Sequence, residues 1–404
     1  MFTDALPNLL ILGAAGHVGS ALVQSLNTLY RDRVNIIGAV HSQVDAQHLR
    51  SSCAMVAEYD WDKIDTLAEL FSGSDLAAAG STSQRIDYVF IVPSHDENRV
   101  EQVERLMDCA IAHGHVRYVI LLSLIGTNSR AGTFASQFKD METCVEESGI
   151  PYTFLQCALF QHLFLMCAPQ LAQELPTIAL PLGMGGFAPV HTSDVASVAS
   201  VLLSDPAAHR YQRYQITGPE VLTGVMIAGK AAEGLGLPVR FQSITSDEAR
   251  QQLEQLGFCD AFIDGQLELY DLIRDGFFAH VSPDVGRLTY FRGATLVEFF
   301  REHRGYFLAY DASGGGGAAD PDPPSTQPSQ RERRRDLAND GPAAETHVGS
   351  KPNMRSHAVT ALIPGHLVLC DGQGTLRNKR VPVQGNGRAQ YRPSRPRAAA
   401  VSKL

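Results

Sequence analysis

The sequence predicts an α/β protein: a doubly wound parallel sheet with a smaller, mostly helical lobe and a disordered C-terminal tail. Three observations lead there. Short apolar runs and amphipathic stretches alternate five times between Leu9 and Ser123, the rhythm of βα units in a parallel sheet. The runs, such as Leu9-Leu10-Ile11-Leu12, are apolar at consecutive positions, as strands buried on both faces must be. Between the first run and the first helix stands Gly13-Ala14-Ala15-Gly16-His17-Val18-Gly19.

That last stretch carries the chemistry. A strand, a tight glycine turn and a helix N-terminus together aim backbone N–H groups and the positive end of a helix dipole at one spot. Gly13 makes the turn, Gly16 lets phosphates approach, and Gly19 lets helix and strand pack closely, with Ala15, His17 and Val18 completing the cradle. The spacing is G-x-x-G-x-x-G rather than G-x-G-x-x-G. The ligand this implies is a dinucleotide on a Rossmann sheet.

The remaining elements follow in order. Val34 to Val40 reads as the second strand, and His41, Ser42 and Gln43 stand at its end. An acid there would hold the ribose hydroxyls of NAD; its absence leans the site towards NADP(H), with NAD(H) as the alternative and His41 as the nearest cation. Met55 to Trp61 is a third strand, and Asp60 after it is a candidate for the adenine amino group or a helix N-cap. Asp87 to Pro93 is a fourth strand whose end, with Pro93, faces the nicotinamide side of the crevice. Val116 to Ser123 is the fifth and Tyr152 to Leu155 the sixth. Helices are expected over Asp62–Ser72, Val100–His113 and Phe134–Glu147. Pro176 to Pro189, rich in proline and glycine, reads as a mobile flap or a plain surface loop. Further helices are expected over Glu220–Leu235, Ser246–Leu256, Ala261–Asp275 and Thr295–His303, and Asp194 is expected to cap a helix ending at Leu203. The Rossmann core then comprises about 8–155 and 189–218, the smaller lobe about 156–188 and 219–308, within one unit over 1–311.

Composition narrows the function. Residues 312–404 hold 14 basic against 7 acidic side chains, and residues 1–311 hold 20 against 36. An acidic body argues against nucleic-acid binding through the core. The tail is rich in Gly, Pro, Arg and Ser and poor in aromatics, so it cannot bury enough surface to fold alone, although a strand pair around Val359–Val368 is conceivable. Seven scattered cysteines without a C-x-x-C pair fit reduced thiols in an intracellular protein and no metal site. The most apolar window, Tyr152 to Leu171, is interrupted by Gln156, Gln161 and His162, so no membrane span is expected. No signal peptide precedes the first strand, which points to the cytoplasm; Ser402-Lys403-Leu404 matches the peroxisomal address and makes that compartment the alternative.

Several segments together resemble the NmrA-like branch of the atypical short-chain dehydrogenases. They are Gly13 to Gly19, Val116 to Ser123, Lys139 to Glu142 with Ser148 to Thr153, Pro189 to Ala196, and Gly286 to Phe291, and the likeness covers roughly residues 8–308. The resemblance implies NAD(P) binding and either a reductase of quinones, iminium ions or phenolic ethers, or a non-catalytic redox sensor with a protein partner. The chain departs from the wider pattern at Tyr-x-x-x-Lys, in which the ammonium lowers the phenol pKa so that Tyr passes a proton. Four residues before Lys139 stands Ala135. Where the family often has Leu-Arg-Pro after the sixth strand, this chain has Leu155-Gln156-Cys157. Lys139 remains as the candidate acid/base or ribose-holding cation, and Ser123 as a hydrogen-bonding group for substrate or ribose. Two classes survive: an NAD(P)H-dependent reductase of a small hydrophobic carbonyl, quinone or imine, and a nucleotide-sensing regulator.

Overall fold

In the computed structural model, which describes residues 6–30, 32–72, 85–113, 115–127, 132–310, 361–363 and 366–368, the first apolar run forms β1 (Asn8–Leu12), buried along its whole length. Its parallel neighbours are β2 (Asn35–Val40) and β4 (Tyr88–Ile91). β3 (Met55–Glu58) adds outside β2; β5 (Tyr118–Leu124), β6 (Tyr152–Cys157) and β9 (Gln212–Ile216) continue outside β4. The order is β3-β2-β1-β4-β5-β6-β9, all parallel. Strand order reverses between β1 and β4, so a crevice opens beyond their carboxyl ends.

The crossovers are helices. They are α1 (His17–Leu29), α2 (Gln43–Leu49), α3 (Ile64–Ser72), α4 (Arg99–His113) and α5 (Thr133–Glu147). α1 buries Val18, Leu22, Val23 and Leu26, a stripe at helical spacing. The second group of elements begins with a 3₁₀ helix (Gln161–Cys167), α6 (Ala168–Leu171), β7 (Thr177–Leu180) and β8 (Gly186–Phe187). α7 (Thr192–Ser204) then packs on α1, with the Ser25 and Ser200 hydroxyls 2.8 Å apart. β10 (Leu222–Thr223), α8 (Gly224–Leu235), β11 (Arg240–Ser243), α9 (Ser246–Gln255), α10 (Asp260–Arg274), α11 (Asp284–Thr289), α12 (Leu296–Glu302) and α13 (Arg304–Ala309) complete it. One hydrophobic core runs from Leu9 to Phe307 through both groups.

Pro176–Pro189 is neither a flap nor a plain loop. β7 pairs with β11 and β8 with β10, and Ile178, Leu182 and Phe187 are fully buried. Its glycines serve close packing. A Cβ at Gly185 would lie 2.3 Å from the Ile273 carbonyl oxygen of α10. In the tail, β12 (Ala361–Ile363) and β13 (His366–Val368) pair antiparallel, a local order that composition alone assigns to disorder. The rest of residues 311–404, with Ser402-Lys403-Leu404, lies outside the described residues. Among the described residues no helix is long and apolar enough to cross a membrane.

Two glycines on helices test how packing decides substitution. A Cβ at Gly19 in α1 would meet the Gly13 carbonyl oxygen at 2.1 Å, whereas nothing lies within 4 Å of one at Gly229 in α8. Gly19→Ala is expected to destabilise by about 1–3 kcal/mol through overpacking, and Gly229→Ala to stabilise by about 0.5–1 kcal/mol through helix propensity. Urea denaturation of both variants measures the difference in sign.

Candidate functional site

The glycine turn is built as a cradle. Gly13 leaves β1 at φ +72°, in the left-handed region that glycine enters without cost. The Gly16 N–H donates to the Gly13 carbonyl at 3.0 Å and closes the turn. Gly16 then stands at the N-cap of α1 with no side chain capping it, and the first turn carries no acid. The N–H groups of His17, Val18 and Gly19 thus have no partner within the helix. Gly19 presses against the Gly13 carbonyl, where a Cβ could not fit. An uncapped helix N-terminus behind small residues fits a pyrophosphate. Ala15 borders the turn, half-buried.

Around the rim, three residues have local partners. His41 follows β2 with its Nδ1 3.3 Å from the Tyr59 carbonyl oxygen and its ring 4.3 Å from that of Tyr59. The surrounding protein lowers its pKa below the usual imidazole value, although the residue has an open edge. Burial, opposed by the nearby carboxylates, makes His41 a weaker cation at the end of β2 than an ordinary imidazole. Moreover, Ser42 caps α2 and donates to the Asp45 carboxylate at 2.7 Å, which brings an acid to the strand end one turn later than sequence position suggests. Asp60 pairs with Lys63 at 2.8 Å and accepts from the Asp62 N–H at 3.0 Å. Its carboxylate organises the turn ahead of α3, which begins only at Ile64, and is not the helix cap. Pro93 is buried just beyond β4, at the switch point opposite the glycine turn.

Along α5, Phe134, Ala135, Phe138, Met141, Glu142 and Val145 face inward. Lys139 stands one turn beyond Ala135 on the flank of that face, partly exposed. It does not pair with Glu142 or Glu146. Glu142 is completely buried and accepts from Ser123 Oγ at 2.6 Å and Gln156 Nε2 at 2.8 Å, with Arg213 Nε 3.7 Å away; Glu146 is held by Arg213 and Tyr152. Among the described residues Lys139 has no ion pair. Ser123, expected to face ligand, is 1% exposed and donates to Glu142. A buried carboxylate needs that donor, so in this structure the Ser123 hydroxyl is engaged by Glu142 of α5 rather than open to the crevice.

Other groups at the crevice escaped the sequence reading because their partners are remote in the chain. Glu268 of α10 accepts from the Phe134 and Ala135 N–H groups at 2.9 and 3.0 Å and caps α5 across the two groups of elements. Arg99, 3% exposed, stacks 4.7 Å above the Phe134 ring and donates to the carbonyls of His95 and Asp96. Burial pulls its pKa down to about 10. Asp194 is not the cap of α7; His191 is, accepting from the Ser193 N–H at 3.1 Å. Asp194 accepts instead from the Ala294 N–H at 2.9 Å, and burial raises its pKa to about 6. Beside it four imidazoles meet: His162 lies 4.7 Å from His17, 5.3 Å from His191 and 5.5 Å from His303, ring centre to ring centre. Among the described residues no set of His, Cys, Asp and Glu converges to hold a metal.

Comparison with known proteins follows the same geometry. The model of the NmrA-like family matches residues 7–273. The chain belongs to the NmrA-like family. An NAD(P)H azoreductase of Xenophilus azovorans is 27% identical over 301 residues, covering 74% of this chain and 99% of that one. The NADPH-dependent quinone oxidoreductase QOR2 of Escherichia coli, solved with NADPH, superposes with a TM-score of 0.62 at 22% identity over 72% of this chain and 98% of that one. NmrA, a negative transcriptional regulator solved with NADP, gives 0.59 at 14% identity over 75% and 97%. Within the NmrA-like fold this chain keeps the glycine turn and replaces the expected arginine near the end of β6. Gln156 stands there, and Arg213 reaches the buried Glu142 from β9 instead.

The histidine cluster makes stability depend on pH. Burial lowers the pKa of His17 and of His191 from 6.5 to about 4, and that of His162 well below its usual value. Unfolded, these rings take up protons near pH 6.5; folded, they resist until far lower. Stability is therefore full above pH 6.5 and lost as pH falls towards 4, by up to about 3 kcal/mol for each of His17 and His191. Chemical denaturation at pH 7.5, 6 and 5 should show that decline, and His191→Gln should reduce it.

Proposed function

We propose that this NmrA-like protein is an NAD(P)H-dependent reductase of a small hydrophobic acceptor of the quinone, azo, carbonyl or imine class. The observation that carries the reading is the juxtaposition of an uncapped glycine cradle with a second lobe clamped over the start of α5 by Glu268. That arrangement holds a dinucleotide at the switch point and covers the end of the crevice where an acceptor would lie. The relatives named as azoreductase and quinone oxidoreductase support the same class. The bound nicotinamide supplies the hydride. The chain supplies N–H donors at His17, Val18 and Gly19, and Lys139 as the cation for the nicotinamide ribose or the proton donor to the reduced acceptor. No phenol takes part, because Ala135 occupies its place on α5.

A second reading, a regulator that senses NADP+ against NADPH and docks a protein, is favoured by that same missing phenol. Steady oxidation of NADPH and NADH with a panel of quinones and azo dyes separates the two. Turnover with at least one acceptor is expected. Lys139→Met should then lower kcat about 10- to 100-fold, the worth of one positioned charge, with little change in Tm. An unchanged rate would leave Lys139 an ordinary surface cation.

Cofactor choice is expected to be loose. A largely neutral His41 beside Asp45 neither grips nor strongly rejects a 2′-phosphate. The ratio of NADPH to NADH affinity should stay within about tenfold and should not grow from pH 8 to 6, since a His41 with a lowered pKa gains little charge there while the 2′-phosphate begins to take up a proton near pH 6. Fluorescence titration of both cofactors across that range measures it, and a preference for NADPH that grows towards pH 6 would restore His41 as its cation.

A further inference from the structure

His17 joins two environments. Its backbone N–H belongs to the first turn of α1, in the cradle, while its ring lies against His162 behind it. His162 comes from the 3₁₀ helix, His191 precedes α7, and His303 ends α12, so four elements each contribute one imidazole. Phe299 seals the group, with its ring 5.3 Å from His162 and 4.3 Å from His303. Two ring nitrogens, His162 Nδ1 and His191 Nε2, are buried without a hydrogen-bond partner, and both side chains are more than nine-tenths buried. Unpartnered buried polar atoms are costly and call for an explanation.

The charged surroundings supply one. Glu302 Oε2 lies 3.6 Å from His191 Nε2, too far for a hydrogen bond to a neutral ring and within reach of a charged one. Glu298 of α12, itself paired with Arg292, acts on His191 and on Asp194. The acids facing the group, Glu298, Glu302 and Asp194, thus favour a proton, while burial and the mutual repulsion of the rings oppose it. The cradle adds the deciding charge. His17 is the sole ionisable side chain between Gly13 and Gly19, and two negative charges arrive there with a pyrophosphate.

We propose that this histidine cluster takes up a proton, on His17 or His162, when a dinucleotide occupies the glycine turn, so that the cradle acquires its cation only on binding. The proton comes from solvent and forms one N–H bond on an imidazole, with no other bond changed; His191 is not the acceptor, because its Nδ1 already accepts from the Ser193 N–H and the neutral ring therefore carries its proton on Nε2. The inference rests on the turn holding the pyrophosphate. Linkage then requires affinity to rise as pH falls, because the bound state holds more protons than the free one.

The test is calorimetric titration of NAD+ into the full-length protein. NAD+ lacks the 2′-phosphate, whose own ionisation near pH 6 would confuse the count. Measurements in two buffers of unequal ionisation enthalpy, at pH 8, 7, 6 and 5.5, give the number of protons bound. Uptake is expected to be near zero at pH 8 and a few tenths of a proton at pH 5.5, with affinity about threefold tighter at the lower pH. His17→Gln should reduce the uptake and flatten the pH profile, with an unchanged circular dichroism spectrum showing that the fold is kept. Binding with no proton uptake at any pH overturns the proposal and leaves the cradle intact. No binding of NAD+ or NADP+ at any pH overturns the cradle itself, and the proposal with it.

Discussion

The site depends on one close approach: α1 lies so near the turn that Gly19 touches the carbonyl oxygen of Gly13. Everything at the crevice follows from that distance. It sets the start of α1 directly beyond β1, an interior strand, and leaves the first-turn N–H groups bare. It also throws the His17 ring backwards, away from the cradle and into the imidazoles carried by the second lobe. α7 then packs along α1, so the lobe is registered on the same helix that faces the ligand. A methyl group at position 19 would disturb cradle, cluster and lobe together.

The second organising contact is the buried carboxylate of Glu142. A charge with no exposure must be met by donors, and here they come from β5, β6 and β9 at once. This accounts for one departure from the family pattern and for one displaced side chain. With glutamine at position 156, near the end of β6, the positive partner has to come from elsewhere, and Arg213 on the neighbouring strand provides it. Its guanidinium also lies 5.1 Å above the Phe154 ring, which steadies it at the edge of the core. Ser123 is drawn into the same network, which removes from the crevice a hydroxyl that strand position alone would place there.

What the sequence made legible was local. Apolar runs marked the first six strands of the large sheet, and the glycine spacing marked the turn, because each depends on neighbours within a few residues. The parallel, doubly wound sheet followed from the alternation of strands and helices. Most of the unread features join distant positions. Glu268 caps a helix that begins 135 residues earlier, at Thr133, and the histidine cluster spans residues 17 to 303. Pro176–Pro189 was misread for a related reason. Proline and glycine report permitted backbone shapes, and only the α10 backbone lying against Gly185 shows that the glycine serves contact rather than motion. Asp45 lies three residues past Ser42 and comes back to the strand end only once α2 forms.

The electrostatics of the crevice tie these features together. The body is acidic by 16 charges over residues 1–311, yet the ligand the cradle fits is an anion. A permanent cation in the turn would help binding but would have to be buried whenever the site is empty, at a high desolvation cost. Arg99 shows how such a charge is kept: it is stacked on Phe134 and tied to two carbonyls, away from the turn. In the turn itself the chain uses helix N–H groups, which carry no net charge and need no counter-ion, and places behind them imidazoles that burial keeps neutral. A residue that is neutral when the cradle is empty and able to charge when an anion arrives avoids the cost of the one state and serves the other. Among the side chains found in proteins, histidine has the ordinary pKa closest to that balance.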